Sequence, residues 1–208
     1  KEGLIDKIGL LPDAVNYLTE KIGEKSEICW YWNQNNMEIK PITNTYKGKD
    51  GVDYIFEYYD ADSFEHLPQN MCSQAYGIAF HGDKFLVVNN IKKPDSYTPI
   101  GGGIEKGEHP DNALVREIQE ESNMKVLKFK PIGYQKVINT SGTEESYYQL
   151  RYFCIVEPYG PFESDPAGKV TEVIECDPAD YKKYFDWGEI GDRIMERALE
   201  ILNDYNKK

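Results

Sequence analysis

Nowhere in its 208 residues does this chain run apolar for the ~18 residues that a membrane-spanning helix needs, so a helical span is excluded. Positive charge is scarce as well. Against 36 Asp and Glu there are 24 Lys and Arg, a formal net charge of -12. Such a surface repels nucleic acid and anionic lipid, so no nucleic-acid and no membrane partner is expected. A small phosphorylated ligand stays possible, because a bound divalent cation reverses the local sign. Cysteine is sparse: Cys29, Cys72, Cys154 and Cys176 form no C-x-x-C pair, and none lies at zinc-ligand spacing from a histidine. Free thiols in a reducing compartment are expected, hence a cytoplasmic location. No secretory leader is visible.

What the chain has is an ordinary globular composition, 40% hydrophobic and 29% charged, with 13% aromatic residues including 16 Tyr. Disorder is excluded, because such a chain buries enough apolar surface to offset its ordering entropy. No internal repeat or low-complexity tract stands out. Apolar residues from Leu4 to Ile22 recur at helical spacing, with a break at Pro12. Short strand patterns follow at Ile28–Trp32, Met37–Ile42 and Tyr54–Tyr59, and Phe64–Asn70 reads as a linker. Residues 1–70 are therefore expected to form an N-terminal α+β extension, and residues 71–208 the main domain.

In that domain, strands are expected at Ala75–Phe80, Phe85–Asn89, Pro131–Ile138, Tyr147–Glu157 and Thr171–Cys176. Lys92–Thr98 reads as a polar loop, and Gly101–Gly103 as a glycine loop. Helices are expected from Pro110 to Ser122 and from about Glu189 to Tyr205. Mixed strands with two embedded helices indicate an α/β sandwich rather than a regularly alternating parallel fold.

The chemistry concentrates between Gly102 and Met124. Pro110 suits a first helical position, and Asp111 complements the helix N-terminus. At 100° per residue, Glu117, Glu120 and Glu121 share an arc of roughly 100°, beside a stripe of Leu114, Val115 and Ile118 that can pack on a sheet. Glu117 and Glu121 are like charges at i,i+4, which destabilises a helix by about 0.2–0.5 kcal/mol. A plain charge run is usually a solvated face. Clustered carboxylates beside a core-facing stripe are also what a hard divalent cation needs, since magnesium takes oxygen ligands. Gly101, Gly102 and Gly103 allow the chain to approach a ligand closely, and Gly107 bends it back towards the helix.

Gly102, Glu108, Arg116, Glu117, Ile118, Glu120, Glu121 and Met124 fall at the spacing G-x5-E-x7-R-E-U-x-E-E-x-G-U, where U is a bulky aliphatic residue. This segment resembles the box of the Nudix hydrolases. Six matched glycine or polar positions, at about one in fifteen each, arise by chance in roughly one window in ten million. The departure is Asn123, where the pattern has glycine. Asparagine tolerates the left-handed conformation that ends a helix, so little damage is expected. A looser resemblance extends over about residues 70–208.

The resemblance implies a Nudix-type α/β/α sandwich with a mixed sheet, and metal-dependent hydrolysis of a diphosphate linkage in a nucleoside diphosphate joined to another moiety. It implies Mg2+ (or Mn2+) held by Glu117, Glu120 and Glu121, with the carbonyl of Gly101 as a further ligand. Glu120, Glu117 and Arg116 would be the catalytic group, with Arg116 orienting a glutamate. Gly102, Gly103, Glu163, Arg151 and Lys93 would meet substrate, while Glu108 and Asn123 would be structural. An acid of the Pro158–Lys169 loop is expected to serve as an extra ligand or base, Glu163 before Asp165. The second reading is a nucleotide-sensing module of the same fold. Residues 1–70 are expected either to complete the pocket across a homodimer or to pack on their own chain.

Overall fold

The computed structural model describes residues 40–48, 51–90, 93–162, 165, 170 and 172–207. The expected helix at Leu4–Ile22, the strand at Ile28–Trp32 and most of that at Met37–Ile42 lie outside them. So do Glu163 and Lys92.

Among the described residues the chain forms one nine-stranded mixed sheet. Its main path runs β1 (Ile42–Lys47), β2 (Asp53–Asp60), β7 (Met124–Asn139), β8 (Tyr147–Pro158), β3 (Cys72–His81), β4 (Lys84–Asn90) and β5 (Lys93–Thr98). Off this path, β6 (Ile100–Gly103) pairs with β3 and β9 (Val173–Cys176) with β4. The β3–β8 pair is parallel and the others are antiparallel. The central strand β8 is buried from Leu150 to Val156. Its side chains alternate between two cores, as the two-residue period of a strand dictates.

One helix covers each face. Helix α1 (Pro110–Ser122) buries Ala113, Leu114 and Ile118 among Ala75, Ala79, Leu150, Tyr152 and Cys154. Helix α2 (Gly188–Asn206) buries Ile190, Ile194, Met195, Ala198 and Leu202 among Ile78, Phe80, Phe85 and Phe153. Full burial of Leu114 or Ile118 contributes roughly 1.5–3 kcal/mol each, several times the like-charge cost along the same helix. The expected α/β/α sandwich with a mixed sheet is therefore present.

Several elements differ from the sequence expectation. Strands β1 and β2 join the main sheet, with Phe56 opposite Val137 and Tyr58 opposite Gln135. Residues 42–60 thus belong to the same sheet as the box segment, although sequence grouped them with the extension. Lys93–Thr98 is an edge strand rather than a loop; Val88 and Asn89 of β4 supply partners that override its weak strand propensity. Gly101–Gly103 is not a free loop either, but is laid against β3 with Tyr76 opposite Gly101. Gly101 has φ +149°, and a Cβ there would lie 2.6 Å from the Tyr76 Cα. The glycines serve close backbone approach rather than flexibility.

Cys72, Cys154 and Cys176 are free and buried, and burial pushes all three thiols up, that of Cys176 to about 11. Among the described residues no helix is long and apolar enough to cross a membrane.

Candidate active site

Helix α1 starts and stops at defined points, which fixes where its acids project. The Asp111 N–H donates to the ring nitrogen Nδ1 of His109 at 3.3 Å, so His109 caps the N-terminus. Pro110 takes the first helical position, where its missing N–H has no consequence. At the far end Asn123 adopts φ 54° and ψ 33°, the left-handed conformation. In between, Glu117, Glu120 and Glu121 point away from the buried stripe towards β6.

Arg116 organises this end of the helix. Its guanidinium donates from Nε to Glu108 Oε1 and from Nη2 to Glu108 Oε2, both at 2.9 Å, which is a two-point fork. Nη2 also donates to the Gly103 carbonyl at 2.9 Å. From Nη1 it reaches Glu117 Oε1 at 2.7 Å and Glu120 Oε2 at 3.3 Å. One side chain thus joins the glycine strand, the turn at Glu108 and two helix glutamates. The forked pair raises Arg116 further above its ordinary value and holds the Glu108 carboxyl below the usual carboxylate range. The Glu105 N–H adds a second donor to Glu108, at 2.9 Å.

The glycine strand closes on the acids directly. Gly101 N–H donates to Glu121 Oε2 at 3.0 Å. At Gly102 a Cβ would sit 2.5 Å from Glu117 Oε2, so only glycine leaves room for that carboxylate. The result is a cavity of about 340 Å3 lined by Gly103, Ile104, Glu105, Arg116, Glu117, Glu120, Glu121 and Asp165. Asp165 is only 5% exposed, and its carboxylate accepts the Val170 N–H at 3.0 Å. The second-choice acid of the late loop therefore faces the helix cluster.

This donor set suits a hard divalent cation. Five carboxylates line one open cavity, with no thiol or imidazole on its wall. Among the described residues, however, no three acidic or histidine side chains stand at ligand spacing from one point. The carboxylates are instead committed to Arg116, to the Gly101 N–H and to the Val170 N–H.

Several polar residues, the expected Lys93 and Arg151 among them, do not join this cluster. Lys93 opens the edge strand β5. Glu144 lies on an exposed loop and accepts from Asn139 at 3.2 Å. Tyr97 donates to Glu172 Oε2 at 2.8 Å and packs edge-on against Tyr184. Arg151 lines a different cavity, on the α2 side of the sheet, of about 640 Å3. Its wall includes Tyr46, Phe56, Tyr76, Gln149, Asp186 and Trp187. Arg151 is 2% exposed, and its guanidinium lies 4.9 Å from the Tyr76 ring centre and 5.4 Å from that of Trp187. Nη2 donates to Gln149 at 2.8 Å and to Gln135 at 3.4 Å, while the Nε–H has no partner among the described residues. Burial without a facing carboxylate brings its pKa down to about 10. Tyr76 also lines the Arg151 cavity, and burial pushes its phenol up.

Sequence reading missed Tyr76, Gln135, Gln149 and Trp187. A signal was present at Gln149 and Arg151, polar residues alternating with apolar ones on a strand that is buried from Leu150 to Val156.

Fold and site together define a Nudix-type α/β domain. The chain belongs to the NUDIX domain family, whose family model matches residues 73–198. Among curated proteins it is 34% identical to diphosphoinositol polyphosphate phosphohydrolase 3-alpha of Mus musculus over 67 residues, 32% of this chain and 38% of that protein. The human diphosphoinositol polyphosphate phosphohydrolase 2 is 33% identical over 67 residues, 32% of this chain and 35% of its own. The match thus spans just over a third of these relatives. In fold, the chain is similar to the Bacillus subtilis pyrophosphohydrolase BsRppH, with a TM-score of 0.55, 16% identity, and coverage of 76% of this chain and 96% of the other. A NUDIX hydrolase from Nitrosomonas europaea gives a TM-score of 0.50 at 17% identity, covering 61% and 87%.

Proposed function

We propose that this Nudix hydrolase domain cleaves a diphosphate linkage in a nucleoside diphosphate joined to another moiety, using Mg2+ (or Mn2+) at the α1 carboxylates. The observation that carries the reading is the grip of Arg116 on Glu108, Gly103, Glu117 and Glu120, which holds like charges together facing one open cavity. Holding several carboxylates in that arrangement is unfavourable for a plain surface helix and useful for a site that takes a cation.

Glu117, Glu120 and Glu121 would hold the metal, with the Gly101 carbonyl and Asp165 beside them. When bound, the cation neutralises charge building on the phosphoryl oxygens and acidifies a water molecule. Glu120 is the most exposed of the acids paired with Arg116 and has the longest of its contacts, so its carboxylate can turn to accept the proton of the attacking water. Arg116 keeps Glu117 oriented and ties the glycine strand to the helix. Gly102 and Gly103 let phosphate oxygens approach the backbone.

The Arg151 cavity takes the nucleoside end. Its curated relatives are named for diphosphoinositol polyphosphates, rings that carry phosphate all round. Such a ligand needs many cations, whereas this cavity offers one guanidinium among aromatic faces and an aspartate. Flat aromatic walls with a few hydrogen-bonding groups suit a nucleobase. The test is a panel of nucleotide sugars, ADP-ribose, dinucleoside polyphosphates, nucleoside triphosphates and a diphosphoinositol polyphosphate, each assayed with Mg2+ and with chelator. Metal-dependent release of a nucleoside monophosphate is expected. Turnover of the inositol compound alone would overturn the nucleoside part. Tight binding of one nucleotide without any turnover would overturn hydrolysis.

A further inference from the structure

We infer that Asn123, the residue that departs from the family pattern, is a positioning residue that fixes Tyr159, Gly160 and Pro161, and so Asp165, against the α1 carboxylates. The inference rests on the proposed hydrolysis. Asn123 ends α1 in the left-handed conformation, which a glycine would adopt without penalty. What asparagine adds is its side chain. The amide Nδ2 donates to the Gly160 carbonyl at 3.2 Å and to the Pro161 carbonyl at 3.0 Å. Two carbonyls facing one side-chain atom can be satisfied only by the NH2 group, which fixes the amide orientation. The Asn123 carbonyl also accepts the Tyr159 N–H, at 3.0 Å. Three hydrogen bonds therefore join the helix end to the chain leaving β8, and glycine could keep only the last.

The tethered segment leads to the cavity. Tyr159, Gly160 and Pro161 directly follow β8, Phe162 packs into the α1-side core, and Asp165 lines the cavity with Glu117, Glu120 and Glu121. Glu120 and Glu121 lie within three residues of Asn123 on the same helix. The side chain thus sets the spacing between acids from two elements far apart in sequence. Two neutral hydrogen bonds at a net ~1 kcal/mol each correspond to a five- to thirtyfold change in an equilibrium that depends on them.

The test compares the wild-type chain with Asn123→Gly, Asn123→Asp, Asp165→Asn and the Asn123→Gly/Asp165→Asn double variant. Readouts are kcat and KM on the best substrate of the panel, Mn2+ affinity by electron paramagnetic resonance, and thermal midpoint. Asn123→Gly restores the family residue, so its midpoint should stay within a few degrees of wild type. Its kcat and Mn2+ affinity should nevertheless fall about five- to tenfold. Asn123→Asp turns an acceptor towards two carbonyls and should fall at least as far. In the Asp165→Asn background the glycine change should have little further effect, because both act through one carboxylate. An active wild type with Asn123→Gly equally active and equally tight for Mn2+ overturns this role. So does a glycine effect that adds in full to that of Asp165→Asn. A wild type that binds Mn2+ but hydrolyses no member of the panel overturns the hydrolysis reading instead, and the Mn2+ affinities then still test the tether.

Discussion

The two cavities lie against opposite faces of one sheet and solve opposite electrostatic problems. On the α1 side, negative charge is gathered in excess, and a single arginine with backbone N–H groups restrains it. On the α2 side, one positive charge is buried with aromatic faces and glutamine oxygens around it and no carboxylate paired to it among the described residues. Taking a cation out of water costs several kcal/mol, and two aromatic faces return only ~1–4 kcal/mol of it. Each cavity therefore carries an imbalance that the proposed ligands would relieve: a cation in the first, hydrogen-bond acceptors on a flat group in the second.

The comparison breaks most readily at Glu120. Glu120→Gln keeps the shape and removes the charge, so kcat should fall roughly 10²–10⁴-fold with an unchanged circular dichroism spectrum. Near wild-type turnover would remove Glu120 from the reaction. Arg116→Lys comes next. Lysine cannot reproduce the fork to Glu108 together with the contacts to Gly103 and Glu117, so activity and Mn2+ affinity should drop by about 10–100-fold. An unchanged Mn2+ titration would count against the hub.

Arg151→Met sharpens the contrast, because stability and function should move in opposite directions. Removing an unpaired buried cation should leave the denaturation midpoint unchanged or raise it. KM for the preferred nucleotide should rise about tenfold, with a smaller change in kcat. A destabilised variant with normal KM would make Arg151 purely structural.

The smallest effect is expected at Glu108. Arg116 holds its carboxyl below the ordinary 4.5. A carboxylate with a depressed folded-state pKa stabilises fully above its unfolded value and loses that contribution as pH falls through the folded one. Glu108→Gln should therefore lower the thermal midpoint slightly at neutral pH and converge on wild type as pH falls below about 4.5, which flattens the acid limb. An unaltered acid limb in melts taken across that range would count against the pair.

How much could be read from sequence follows the same division. The carboxylate site was legible because one contiguous segment, Gly102 to Met124, carries almost all of it, and Pro110, Ser122 and the acid spacing fix its helix. Asp165 was harder: loop acids are usually solvated, and only the fold shows one turned inward. The Arg151 cavity was nearly invisible, since its wall comes from β1, β2, β3, β5, β7, β8 and the start of α2, elements that long-range pairing brings together. Strands β5 and β6 were misread for a related reason. Lys93-Pro94-Asp95 and three glycines have poor intrinsic strand preference, and only neighbours supplied by the tertiary structure make them strands. Strand β2 was legible as a strand, but its partner β7 lies far along the chain, so its place in the main sheet was not.

The account stands on the claim that the α1 carboxylates hold the cation that drives cleavage. It is tested most directly by following the products of the preferred nucleoside diphosphate derivative by phosphorus magnetic resonance, with wild type in Mg2+, wild type in chelator, and Glu120→Gln in Mg2+. The account predicts cleavage between the two phosphates in the first sample and at least a hundredfold slower reaction in the other two. Equal rates in all three would contradict it.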